Sequence, residues 1–174
     1  MKEKSYIIRL HELKLGVHQF ELYIDQLFFE NRDFEEFQET EVKVALEILK
    51  QNSLITLKFE LEGWVGLHCD RCTIPYKNPI RSSEEMFVKY GEADENQPEN
   101  VISLPHGEID LDLSQHLFEF MLLAIPSKRV PCENDSKFQC DDKTLKELEK
   151  HNSKKIEIEP KTSIWDELKN IHNN

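Results

Sequence analysis

A chain of 174 residues, 39% of them hydrophobic and only 5 glycine and 7 proline, has the size and apolar content for a single domain and not for a fibrous or low-complexity protein. Its 34 acids against 22 bases give a formal charge of −12, which repels a phosphate backbone on average and restricts any nucleic-acid contact to a local patch. The most apolar stretch, Leu117 to Ile125, is far shorter than the ~20 residues that cross a bilayer, and the first residues lack an apolar signal segment, so a soluble cytoplasmic protein is expected.

Taken in chain order, Tyr6 to Leu10 and Gln19 to Ile24 read as strands, the second from the alternation of Phe20, Leu22 and Ile24. Asp25 is placed to cap a short helical turn through Leu27, Phe28 and Phe29, and the acidic stretch from Glu30 to Glu41 has no clear period. Val42, Val44, Leu46 and Ile48 then alternate with Glu41, Lys43, Ala45 and Glu47. After Gln51-Asn52-Ser53 the alternation resumes with Ile55, Leu57, Phe59 and Leu61, which predicts an antiparallel hairpin. Gly63 and Gly66, inside the apolar run to His68, predict a bend or bulge in a third strand.

Ile80 to Tyr90 is a further strand, and Gly91 to Asn100, with four acids and no base, is an exposed mobile loop. Asp112 followed by Gln115 resembles a capping box, and Leu113, Leu117, Phe120, Met121 and Ala124 recur at helical spacing until Pro126, with Phe118, Leu122 and Ile125 widening the stripe. Asp141 or Asp142 caps a short helix through Leu145 and Leu148 within a less ordered region near 130–160, and Ser163 to Ile171 reads as a last helix. The expected fold is α+β: a bent antiparallel sheet or partial barrel from residues 41–90 and the N-terminal strands, packed on the long helix, with short C-terminal helices.

Four cysteines stand out, as Cys69-Asp-Arg-Cys72 and, 60 residues on, Cys132 and Cys140. A Cys-x2-Cys pair at the end of a strand puts two sulfurs on one side of a tight turn, which suits a tetrahedral soft metal such as zinc. The wide spacing of Cys132 and Cys140 requires the segment between them to fold back, and His68 and His106 are the other ligand types nearby. Two buried or reduced thiols explain the same letters without a metal, and a redox role would want the pair at a helix start, which Thr73-Ile74-Pro75-Tyr76 does not resemble.

Arg71, Lys77 and Arg81 with Tyr76 form the most basic short stretch, of a composition that grips RNA phosphates and stacks a base, though such a cluster is more often a solvated loop. His116 and Glu119 share a helical face. No phosphate loop, nucleophile elbow or metalloprotease signature occurs, which favours a binding or assembly factor over an enzyme.

These features in this order, from Gly63 into Cys69-Asp-Arg-Cys72, through the acidic loop and Ile109-Asp110-Leu111 into the long helix, then Ile125-Pro126-Ser127-Lys128-Arg129 and Cys140 before Leu145 and Leu148, resemble the YceD family of bacterial and plastid proteins. Leu13-Lys14-Leu15-Gly16 and Phe28-Phe29-Glu30 look most like its Bacteroidetes branch. The chain departs from the family's richer cysteine cluster after the helix, and keeps Trp165 and Leu168 of its terminal segment without the usual Asp and Pro. The resemblance implies a noncatalytic factor in large ribosomal subunit biogenesis, affecting synthesis, processing or stability of the large rRNA. The implied partners are a large-subunit precursor or a basic ribosomal protein meeting the acidic segments Glu35–Glu41 or Glu92–Glu99. The competing readings are a small enzyme or redox protein using Cys69 and Cys72, and a metal-stabilised adaptor unrelated to ribosomes. A structural zinc on Cys69, Cys72, Cys132 and Cys140 is compatible with the first and the last.

Overall fold

Strict period-two patterning makes a strand that can bury one whole face, and two such strands joined by a short polar link pair antiparallel. In the computed structural model, which describes residues 6–30, 32, 34–92, 96–105, 107, 110–134 and 138–151, this is the centre of the molecule. Strand β3 (Thr40–Lys50) pairs with β4 (Ile55–His68) in the register Val44↔Leu61, Leu46↔Phe59, Ile48↔Leu57, and Gln51 N–H bonds Leu54 O at 3.0 Å across the two-residue link. All of those apolar residues are buried, each worth roughly 1.5–3 kcal/mol against exposure.

On one side of this hairpin lies β2 (Gly16–Asp25), antiparallel to β3; on the other lies β5 (Pro75–Tyr90), antiparallel to β4 along its whole length. Strand β5 begins five residues before the predicted Ile80, because Tyr76 and Asn78 already turn inward. The strand that sequence reading missed is β6 (Val101–Leu104), which pairs parallel with β5, so the sheet is mixed and ordered β2-β3-β4-β5-β6. Its four residues are too few to display a period. The connection through the acidic loop returns the chain to the start of a new strand instead of reversing it. Gln97 holds this return, donating to Val101 O and accepting from Ser103 Oγ. Among the described residues the sheet does not close: β2 and β6 are its edges.

Two further strands, β1 (Ile7–Arg9) and β7 (Asp110–Asp112), form a small ribbon with Ile8 and Leu111 buried, and a single 3-10 turn at Leu10–Glu12 leads from β1 towards β2. Helix α1 (Gln26–Glu30) sinks Phe28 and Phe29 into an aromatic cluster with Phe34, Phe37 and Phe118, which gives the patternless stretch after Glu30 its purpose. Helix α2 (Ser114–Leu123) lays Leu117, Phe120 and Met121 on the sheet, with Phe120 edge-on to Phe59 at 5.1 Å. Its entry is an Asx turn, Asp112 accepting from Ser114 N–H at 2.8 Å. The predicted capping box does not form, because Gln115 bonds forward to Glu119. Leu122 and Leu123 are exposed, so the apolar stripe is narrower than expected. Helices α3 (Pro131–Asn134) and α4 (Asp142–His151) follow, the second capped by Asp141 through Thr144. The helix predicted at Ser163 to Ile171 lies outside the described residues, as does His106.

Glycine matters at the bend. A Cβ on Gly63 would sit 2.1 Å from Glu41 O, so only glycine lets β4 pass β3 there. The run from Gly63 to His68 is not a third strand but the continuation of β4, in which Val65, Gly66 and Leu67 are buried in succession as the alternation lapses towards the cysteines.

Candidate functional site

Strand β4 ends at His68, and the chain reverses through Cys69-Asp-Arg-Cys72 to start β5. Thr73 N–H bonds Cys69 O at 2.9 Å and Cys69 N–H bonds Ile74 O at 3.0 Å, closing the turn. Thr73 has φ of 60°, an uncommon conformation for a β-branched residue, and its hydroxyl donates to Cys72 O. This tight turn puts Cys69 and Cys72 together, both buried.

The second cysteine pair arrives through a clamp. Asp70 N–H bonds Arg129 O at 2.9 Å, Arg129 N–H bonds the Asp70 carboxylate at 2.7 Å, and the Arg129 guanidinium bridges Asp70 and Glu36. Val130 is thereby buried against the turn and Cys132, in α3, is delivered to it; Cys140 follows just before α4. Ile74, Phe138 and Leu145 pack around the group, so the four cysteines sit in a small core of their own. The sulfurs of Cys69, Cys132 and Cys140 all lie within 4.8 Å of one another, and the Cys69 thiol hydrogen-bonds Cys72.

Thiolates about 2.3 Å from a zinc lie about 3.8 Å apart; the structure gathers three sulfurs, of Cys69, Cys132 and Cys140, in a group that could hold a metal, and Cys72, the predicted fourth ligand, is not among them. Burial pushes the Cys72 thiol up, but the N–H groups of Ile74 and Asp141 and the Cys69 thiol outweigh it and hold its pKa below the ordinary value. Donors aimed at sulfur favour the thiolate that a metal requires. Cys132 and Cys140 are bonded to one another as a disulfide, with Cα atoms 5.9 Å apart, so a metal and this bond are alternative states of the same sulfurs. His68 is engaged elsewhere, bonding Gln38 at 3.1 Å.

The basic residues do not converge as one patch. Arg71 sits in the turn, beside Leu145, Leu148 and Glu149 of α4, where it also feels the Glu133 carboxylate. Tyr76 points inward, its ring meeting Phe138 edge-on at 5.8 Å. Lys77 lies on the outer sheet face with its ammonium 3.4 Å from the Trp64 ring centroid, and Arg81 is two positions further along that face, opposite Glu62. Sequence reading missed the clamp of Asp70, Arg129 and Glu36. Its signal was faint: an acid between two cysteines and an arginine beyond the helix, 59 residues away.

A mixed sheet covered by one helix, with a cysteine turn at the sheet's end receiving the chain that follows the helix, defines an α+β protein with a sulfur-lined clasp. Residues 57–172, two thirds of the chain, match the family described as large ribosomal RNA subunit accumulation protein YceD, and the chain belongs to that family. No curated protein and no solved structure matches it. The matched span takes in β4 from Leu57 onward, the cysteine turn, α2 and the segment that brings Cys132 and Cys140 back. The described residues contain no helix long and apolar enough to cross a membrane.

Proposed function

We propose that this chain acts in the cytoplasm as a noncatalytic factor that supports accumulation of large-subunit rRNA by binding a large-subunit precursor or one of its basic proteins. The observation that carries this reading is the family match, whose span includes both halves of the cysteine clasp. The enclosure of the cysteines by Val130, Ile74, Phe138 and Leu145 supports a structural over a catalytic use, because a reacting thiol must be reached by its substrate. In the reduced protein the clasp holds a structural zinc through Cys69, Cys72, Cys132 and Cys140, tying the segment after α2 to the end of the sheet. RNA contact, where it occurs, is local and uses Lys77 and Arg81 on the outer face, with Arg71 at the turn and Tyr76 behind it as support.

Sedimenting lysate through a gradient while following the protein tests the partner: co-migration with large-subunit particles is expected, and absence from every ribosomal fraction overturns it. Elemental analysis of protein purified reduced and without chelator tests the metal. One equivalent of zinc is expected, lost in Cys69→Ser; one equivalent retained by that variant removes Cys69 from the site. Thiol-disulfide exchange activity of the wild type, abolished by Cys72→Ser, would favour the redox enzyme instead.

A further inference from the structure

Strand β2 is an edge, and the geometry of its partner says which of its groups face outward. Because Gln51 and Leu54 bond across the β3–β4 link, the odd-numbered residues of β3 bond β4 and the even-numbered ones bond β2. The register Gly16↔Lys50 through Ile24↔Val42 then leaves the main-chain groups of Val17, Gln19, Glu21 and Tyr23 pointing away from the sheet. Tyr6 Oη, donating to Tyr23 O at 2.9 Å from that open side, agrees. Three carbonyls and four N–H groups remain along this edge, and among the described residues no strand pairs with them.

Exposed edges are ordinarily blunted by proline, an outward lysine, a bulge or a covering element. Strand β2 has no proline, no lysine and an unbroken ten-residue register. Its two faces offer different chemistry to an added strand. On the core side, Phe20 and Leu22 are half-buried at the rim of the core. On the outer side, Glu21, Glu41 and Glu47 share the surface of β2 and β3 with one base, Lys43, which pairs with Glu21 at 2.6 Å. Self-pairing about the middle of β2 would bring Glu21 towards its own copy, so like charge disfavours a second copy as the occupant.

We propose that the β2 edge is a docking site for an extended basic segment of a partner protein, which adds a sixth strand to the sheet. Its alternate residues are basic, beside Glu21 and reaching over Gln19 towards Glu47 one strand further in, and apolar, beside Phe20 and Leu22. The site rests on the ribosomal reading only for the origin of such a segment. Peptide binding that persists in a protein absent from ribosomal fractions removes that origin and leaves the site. Co-sedimentation without peptide binding removes the site alone.

The probe is a capped heptapeptide of alternating lysine and valine, titrated into the full-length protein. Binding is expected to slow amide exchange at Val17, Gln19, Glu21 and Tyr23. Methylating either every lysine amide or every valine amide should abolish binding in one case and spare it in the other, with a loss of about tenfold or more, because only one set of N–H groups can face β2. In Glu21→Lys/Glu47→Lys the preference should turn towards a glutamate–valine peptide. No binding, equal binding of both methylated peptides, or protection of the same amides by dimerisation of the chain would overturn the proposal.

Discussion

The molecule holds two hydrophobic groups that are built differently. The large one, under the sheet, buries Val44, Leu46, Ile48, Leu57, Phe59 and Leu61 against α2 and is made of side chains whose burial alone is worth tens of kcal/mol before entropy is counted. The small one has three buried members, Cys69, Cys72 and Val130, and leans on hydrogen bonds, the Arg129 clamp and the sulfurs themselves. A core of that size cannot order a segment by apolar burial alone. At the end of the sheet the Asp70–Arg129 clamp and the Cys132–Cys140 bond therefore carry more of the task of holding the chain after α2, and the proposed metal would act on the same segment.

This difference can be broken from its strong side first. Phe59→Ala empties a site that touches Phe120 and is expected to cost about 3–5 kcal/mol, unfolding sheet and clasp together in chemical denaturation. Gly63→Ala should be comparably damaging because Glu41 O blocks the new methyl. From the weak side, chelation of zinc-loaded protein should raise amide exchange in residues 130–151 while the β3–β4 amides keep their protection. The stabilisation removed is about 2.7 kcal/mol when the metal stands at a hundred times its Kd. Equal loss of protection in both regions would mean that the two cores are one cooperative unit.

A pH measurement separates them further. Burial, reinforced by the Asp25 charge, pushes the Tyr6 hydroxyl up to about 12, whereas the unfolded chain ionises near 10. Between those values the unfolded state has lost a proton that the folded state keeps, so the stability present below pH 10 falls as pH rises towards 12. The expected loss is on the order of 1–2 kcal/mol, and Tyr6→Phe should flatten that slope while leaving the clasp unchanged. The smallest effect is at the turn. Thr73→Gly relieves a left-handed conformation and should stabilise the protein by up to about 1 kcal/mol, less the hydroxyl's bond to Cys72 O, as read by thermal unfolding.

The two groups also differ in how far the sequence discloses them. Val42 to Ile48 and Ile55 to Leu61 announced their strands and their inward faces, because period two is a local property and burial follows it. The short β6 and the parallel return through Gln97 were hidden, since four residues carry no period and the bonds that hold them join distant positions. At the clasp, Cys69 and Cys72 were legible from their spacing, and Cys132 and Cys140 were identified as candidates to join them, without the contact that brings them there. What brings them in is the pairing of Asp70 with Arg129, a contact across 59 residues between types that are common everywhere. Tyr76 sat in a basic stretch and proved to face Phe138, an outcome set by the β5 register and not by its neighbours in sequence.

The direct test of the account is the ratio of large- to small-subunit rRNA in cells that lack this protein, measured beside cells complemented with the wild-type chain. A ratio lowered by the deletion and restored by the wild-type copy is expected. An unchanged ratio in the deletion, with the protein shown to be expressed in the parent, would contradict it.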